Sequence, residues 1–205
     1  MDIALNFIND SNDAGNAKIV IYTHNALGGI DEMPVAWKVI ANCAPGSSVG
    51  FVYPHAVMVG ANDEAGHQTP PQPAEPGQLF AMRQTGSGWQ LTQAGQAGKP
   101  DRIEILHQQG DGPIGASIYK DGRLLATRQT IMPRNTAVFR FAPVLWIGAA
   151  ARVEEGRVIH RAVQAGITTR LSLQGIASAD IAMTGGGSGP HAQPVQFALR
   201  NATMA

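Results

Sequence analysis

The chain has 205 residues and no formal net charge, and only 15% of its residues are charged, against about 25% in an average soluble domain. A neutral chain has no generic attraction for nucleic acid or for an anionic membrane surface. The 24 glycines and 13 prolines suit many short strands joined by turns and argue against long helices.

The first residues, Met1-Asp2-Ile3-Ala4-Leu5-Asn6-Phe7, alternate apolar and polar side chains, which is the period of a half-buried strand. They hold neither a basic segment nor a long apolar run, so a strand is expected there and not a signal peptide or membrane anchor. A cytoplasmic protein, or one exported by a leaderless route, is the corresponding expectation. Alternation recurs at Ile19-Ile21, Val35-Trp37-Val39, Phe51-Tyr53 and Val57-Val59. The run from Gln68 to Pro76 holds four prolines, which lack the donor that a sheet ladder needs, so 68–76 is expected to be an extended loop.

Further strands are expected at Leu79-Ala81, Trp89-Leu91, Ile103-Ile105, Ile114-Ile118 and Leu124-Ala126. Asp121-Gly122 between two of them predicts a type I′ hairpin, whose twist matches that of the strands. Val138-Phe141 and Leu145-Ile147 continue the series, and Leu171-Leu173, Ile181-Met183 and Val195-Phe197-Leu199 close it. Val158, Ile159, Ala162 and Val163 have helical spacing, so one short helix is expected near 152–166, weakened by Gly156.

Compared with itself, the chain aligns Pro45–Ala61 with Pro133–Ala149 at an offset of 88, and Lys18-Ile19-Val20-Ile21 with Arg102-Ile103-Glu104-Ile105 at an offset of 84. This predicts a pseudo-repeat of 17–61 in 101–149. The expected fold is a single all-β antiparallel sandwich over 1–205, made of two immunoglobulin-like or jelly-roll-like halves.

Candidate chemistry is sparse. Asp10 and Asp13 lie in one acidic loop and Asp63 and Glu64 in another, with Asp31-Glu32 in a third. Such loops could together offer oxygen ligands to calcium, although the spacing fails the EF-hand pattern. His24, His55, His67, His107, His160 and His191 are dispersed and form no metal-binding motif. Cys43 is the sole cysteine, so no intrachain disulfide forms. No Gly-x-Ser-x-Gly elbow is present, and Ser87 between two glycines reads as a hairpin apex. The Gly185–Gly189 run lacks the Gly-Lys-Ser/Thr ending of a phosphate loop.

Arg152, Arg157, His160, Arg161 and Arg170 crowd into nineteen residues and could meet an anionic glycan or lipid head group. Of the three tryptophans, Trp89 beside its glycine-rich turn is the candidate ligand contact, whereas Trp37 and Trp146 read as core. Charge is also uneven along the chain: residues 1–75 carry eight acids against Lys18 and Lys38, and the remainder carries thirteen bases against seven acids.

These features lead to the expectation of a non-catalytic structural or interaction protein that pairs with itself. A module recognising glycans or lipid head groups is the alternative. No nucleic-acid partner is expected, nor any cofactor beyond calcium.

Overall fold

A computed structural model describes residues 1–12, 17–29, 32–188, 190 and 192–205. Among these, sixteen strands and one helix form. The first four strands are β1 (Ile3–Asn9), β2 (Lys18–Tyr22), β3 (Lys38–Ile40) and β4 (Ser48–Tyr53). The central run is β5 (Val57–Asn62), β6 (Gln72–Ala74), β7 (Gln78–Thr85), β8 (Gly88–Gln96), β9 (Ile103–Gln109), β10 (Ile114–Lys120), β11 (Arg123–Ile131) and β12 (Thr136–Phe139). The last four are β13 (Val144–Ala150), β14 (Thr169–Ser172), β15 (Ile176–Gly186) and β16 (Gln193–Met204), with α1 (Arg161–Ala165) between β13 and β14. The fold is all-β, and its one helix lies within the segment where the apolar spacing placed it.

Where the sequence suggested one sandwich over 1–205, the contacts divide the chain into two compact units. Unit 1 comprises 1–23, 35–55 and 143–205; unit 2 comprises 24–34 and 56–142. Each unit holds two four-stranded sheets. In unit 1 their orders are β16-β15-β1-β4 and β14-β13-β2-β3, and in unit 2 they are β12-β9-β7-β8 and β11-β10-β5-β6. Pairing is antiparallel except for β1 with β15 and β7 with β9, which run parallel.

These orders coincide once β1–β4 are set against β9–β12 and β13–β16 against β5–β8. In both units a parallel pair is flanked by an antiparallel strand on either side, and two hairpins meet through an antiparallel pair in the second sheet. By strand order, β1–β8 and β9–β16 therefore form two equivalent eight-strand runs that exchange halves. Each sandwich takes its first four equivalent strands from one run and its last four from the other.

Backbone detail fixes the register of this match. Asn9 N–H donates to Ser47 O at 3.0 Å and Gly46 N–H to Asn9 O at 2.7 Å; His107 N–H donates to Asn135 O at 2.9 Å and Arg134 N–H to His107 O at 2.8 Å. Gly46 and Arg134 both take positive φ, 79° and 68°, each directly after a proline. The offset of 88 thus pairs equivalent strands, β4 with β12 and β5 with β13. The offset of 84 does not: it sets β2 against β9, whereas the pairing makes β9 the counterpart of β1 and β10 that of β2.

Local chemistry explains the strands. In β1, Ile3, Leu5, Phe7 and Asn9 are buried and the residues between them are not, so one face meets the core. Trp37 is fully buried beside β3 and lies edge-on to Tyr53 of β4 at 5.2 Å, which ties the two sheets of unit 1 together. The other face of β2 is covered as well, because Val20 and Tyr22 pack with Val153, Ile159 and Ile167 from the β13–β14 connection. A Cβ at Gly148 would sit 2.9 Å from Ile167 Cγ1, and at Gly60, its counterpart in unit 2, 3.2 Å from the Tyr119 ring. Both glycines clear space for a covering side chain.

The hairpin after β10 has φ of 53° at Asp121 and 69° at Gly122, the two positive values that a type I′ turn requires. The proline-rich run departs from expectation, since Gln72–Ala74 is strand β6, with Pro73 opposite Met58. An edge position resolves the conflict: among the described residues β6 has only β5 as a neighbour, so a proline can turn its missing donor away from the ladder.

Candidate functional site

The histidine and asparagine of the repeat occupy one structural position. Asn9 is 3% exposed and donates through Nδ2 to Cys43 O at 2.7 Å, while its Oδ1 accepts from Ser11 N at 3.1 Å and Ser11 Oγ at 2.6 Å. His107 is fully buried, and its Nδ1 lies 3.1 Å from Ile131 O, the counterpart of Cys43 O. A carbonyl can only accept, so Nδ1–H is the donor of this bond. Among the described residues the ring's Nε2 has no hydrogen-bond partner. His24 stands in the β2–β3 connection, where burial lowers its pKa.

The β5–β6 connection of unit 2 folds back on itself. Asp63 Oδ1 accepts from His67 N–H at 2.8 Å and its Oδ2 lies 2.9 Å from His67 Nδ1. These bonds hold the Asp63 carboxyl below the ordinary carboxylate pKa. Thr69 N–H donates to Ala61 O at 2.8 Å, and Ala61 N–H donates to Thr69 Oγ1 at 3.1 Å, which pins the far end of the loop to β5. Beside this loop, Asp63, His67, Gln68, Thr69, Gly88 and Trp89 line a pocket of about 220 Å³.

Trp89 is set in place by its neighbours. Its ring centroid is 5.6 Å from that of His107, and a Cβ at Gly110 would collide with its Cη2. Gly110 takes φ of 139°, so a glycine lets the indole lie directly on the β9–β10 turn. Ser87 stands at the β7–β8 turn, its N–H donating to Thr85 Oγ1 at 3.3 Å, consistent with a hairpin apex.

Asp10 belongs to unit 1, where its Oδ2 accepts from Arg200 Nη1 at 3.1 Å. Glu64 lies over Gly112, and Asp13 and Asp31 lie outside the described residues, as does His191. Among the described residues no three His, Cys, Asp or Glu side chains form a metal-binding group. Cys43 has its thiol pKa raised by burial, the opposite of an activated nucleophile.

Arg152, Arg157, His160 and Arg161 all lie on the β13–β14 connection, and Arg170 on the outermost strand β14; every one is exposed. Arg157 lies 3.9 Å from Glu154. His160 is the residue capping α1 and makes no side-chain cap bond.

Strand exchange also cancels the charge asymmetry of the sequence. Unit 1 carries seven bases and six acids, and unit 2 eight bases and nine acids. The acidic start and basic remainder of the chain are distributed over both units, so opposite poles do not arise from this partition.

The sheet edges differ in how they are protected. In the sheet β12-β9-β7-β8, the β12 side is capped by Asn25, which bridges Phe141; its Nδ2 donates to Val138 O at 3.0 Å and its Oδ1 accepts from Arg140 N at 2.9 Å. At the other edge, β8 pairs only with β7 among the described residues, and Gln72 Nε2 donates to its Leu91 O at 2.7 Å. Its nine residues, Gly88-Trp89-Gln90-Leu91-Thr92-Gln93-Ala94-Gly95-Gln96, include no charge and no proline.

No family model, no curated protein and no solved structure matches this chain. No helix among the described residues is long and apolar enough to cross a membrane.

Proposed function

We propose that the protein is a non-catalytic structural or interaction protein that associates with its own copies through sheet edges. The observation that carries this reading is β8. An edge strand exposes a row of unpaired N–H and C=O groups, and proteins that stay monomeric blunt such edges with charges, proline or a covering segment. β12, at the opposite edge of the same sheet, has its cover from Asn25. Among the described residues β8 has no charge, no proline and no strand on its outer side, and a single side-chain bond, from Gln72 Nε2 to Leu91 O, meets its backbone; a second copy of the same strand could continue its ladder.

The near-neutral units make backbone pairing, and not long-range charge, the driving interaction, so association should withstand salt. Sedimentation velocity over a range of concentrations, in low and high salt, tests this. Oligomers are expected in both buffers, and the double substitution Thr92→Lys with Ala94→Lys is expected to shift them to monomers. A wild-type protein that stays strictly monomeric at high concentration in both buffers overturns the proposal. Glycan-array and liposome-pelleting assays, each with and without calcium, address the alternative role in recognition, with Arg157→Ala and Arg170→Ala testing the exposed arginines.

A further inference from the structure

The pocket of unit 2 combines an aromatic wall with hydrogen-bonding groups and holds no lysine or arginine among its lining residues. Each of these traits narrows the ligand. Without a guanidinium or ammonium, and with the Asp63 carboxylate on its wall, the pocket is poorly suited to a phosphate or sulfate. A purely apolar guest would strip water from the Asp63 carboxylate without replacing its hydrogen bonds. A saccharide meets both demands, because one face of its ring is C–H rich and can lie on an indole, while its rim hydroxyls donate to a carboxylate and exchange bonds with an amide. We propose that Trp89, Asp63, His67 and Gln68 form a binding site for one ring of an uncharged saccharide.

The geometry favours a preformed site. The Asp63 side chain is 12% exposed, while that of His67 is 81% exposed, and the bonds from the loop fix the carboxylate before a ligand hydroxyl reaches its exposed edge. Trp89 rests on Gly110 and the buried His107, so its indole is immobilised before the ligand arrives, which reduces the ordering cost of binding. The volume of about 220 Å³ lies below the roughly 300–1,000 Å³ of sites for drug-sized ligands, which matches a single ring. Gly88 and Trp89 open β8, the strand through which self-association is proposed, so binding is measured on the Thr92→Lys with Ala94→Lys variant as well as on the wild type.

The test uses the full chain and a defined panel: glucose, galactose, mannose, N-acetylglucosamine, fucose and a sulfated disaccharide, followed by calorimetry and by ligand-observed NMR. At least one uncharged sugar is expected to bind saturably. Trp89→Ala should weaken that binding by about tenfold or more, the equivalent of about 1.4 kcal/mol. Trp89→Phe should restore part of it, and Asp63→Asn should weaken it while leaving the circular dichroism spectrum unchanged. If Trp89→Ala does not fold, the Trp89→Phe and Asp63→Asn variants decide the question. Failure of every uncharged sugar to saturate the wild type overturns the site. So does binding that is indifferent to Trp89 and Asp63, or a preference for the sulfated sugar that survives Trp89→Ala.

Discussion

Units 1 and 2 share a strand plan and differ in what joins the strands. Between β10 and β11 unit 2 spends two residues, Asp121 and Gly122; the matching step from β2 to β3 runs from Thr23 to Trp37 and lends His24–Pro34 to unit 2. Between β13 and β14 unit 1 inserts the stretch that carries α1 and covers Val20 and Tyr22. The corresponding β5–β6 connection of unit 2 is shorter, folds around Asp63 and forms the wall of a pocket. One frame thus supports a covering layer in one unit and an open site in the other, and the candidate chemistry resides in the connections.

The sharpest way to break this comparison is to damage one unit's core. Trp37→Ala removes a fully buried indole from unit 1 and should lower stability by about 3–5 kcal/mol. Hydrogen exchange should accelerate in β1–β4 and β13–β16 while β5–β12 keep their protection. Equal acceleration in β9–β12 would show that the two units are one cooperative body.

A smaller effect should separate the two buried polar residues. Asn9→Leu and His107→Leu each leave a carbonyl, Cys43 O or Ile131 O, without its side-chain donor, at a cost of about 1–3 kcal/mol by urea unfolding. Asn9→Leu should cost more, because Ser11 loses its acceptor too, whereas His107 Nε2 has no partner to lose. A larger loss at His107 would break the equivalence.

Acid gives the mildest probe. Asp180 in unit 1 accepts from Asn201 Nδ2 at 2.7 Å and Asn6 Nδ2 at 3.1 Å, which lowers its pKa from the ordinary 3.8; Asp63 in unit 2 is lowered by His67. A carboxyl whose pKa falls on folding stabilises above its unfolded value, and that contribution is lost as pH drops through the folded value. Wild type should therefore exceed Asp180→Asn in stability near neutral pH, and the gap should close below pH 3.8. A gap that widens in acid would mean that Asp180 is protonated in the fold.

Much of the frame was legible because alternation is a local property. Ile3, Leu5 and Phe7 declare a strand whatever their partner, and Asp121-Gly122 declares its turn. The β4–β5 match to β12–β13 was visible because a proline followed by a positive-φ residue marks the same turn twice. The match of β1 to β9 was hidden, since Asn9 and His107 share no chemistry beyond one donated hydrogen bond. Exchange of halves was hidden too: alternation says which face is buried but not which distant strand lies alongside. Trp89 and Asp63 could each be singled out, yet their meeting depends on how the loop after β5 folds back beside the start of β8. The arginines stayed together simply because they are neighbours on one connection.

Exchange of halves also sets an order of events during synthesis. Unit 2 draws all its strands from 56–142, a continuous stretch, and takes only 24–34 from earlier in the chain. Unit 1 must pair β1 with β15, so β1–β4 leave the ribosome long before the strands that complete their sheets. Such distant pairing is slow, and until β13–β16 arrive the apolar side chains Leu5, Phe7, Ile21 and Trp37 have no complete core to enter. The first quarter of the chain is therefore the segment whose apolar side chains wait longest during synthesis, until the last four strands complete its sheets.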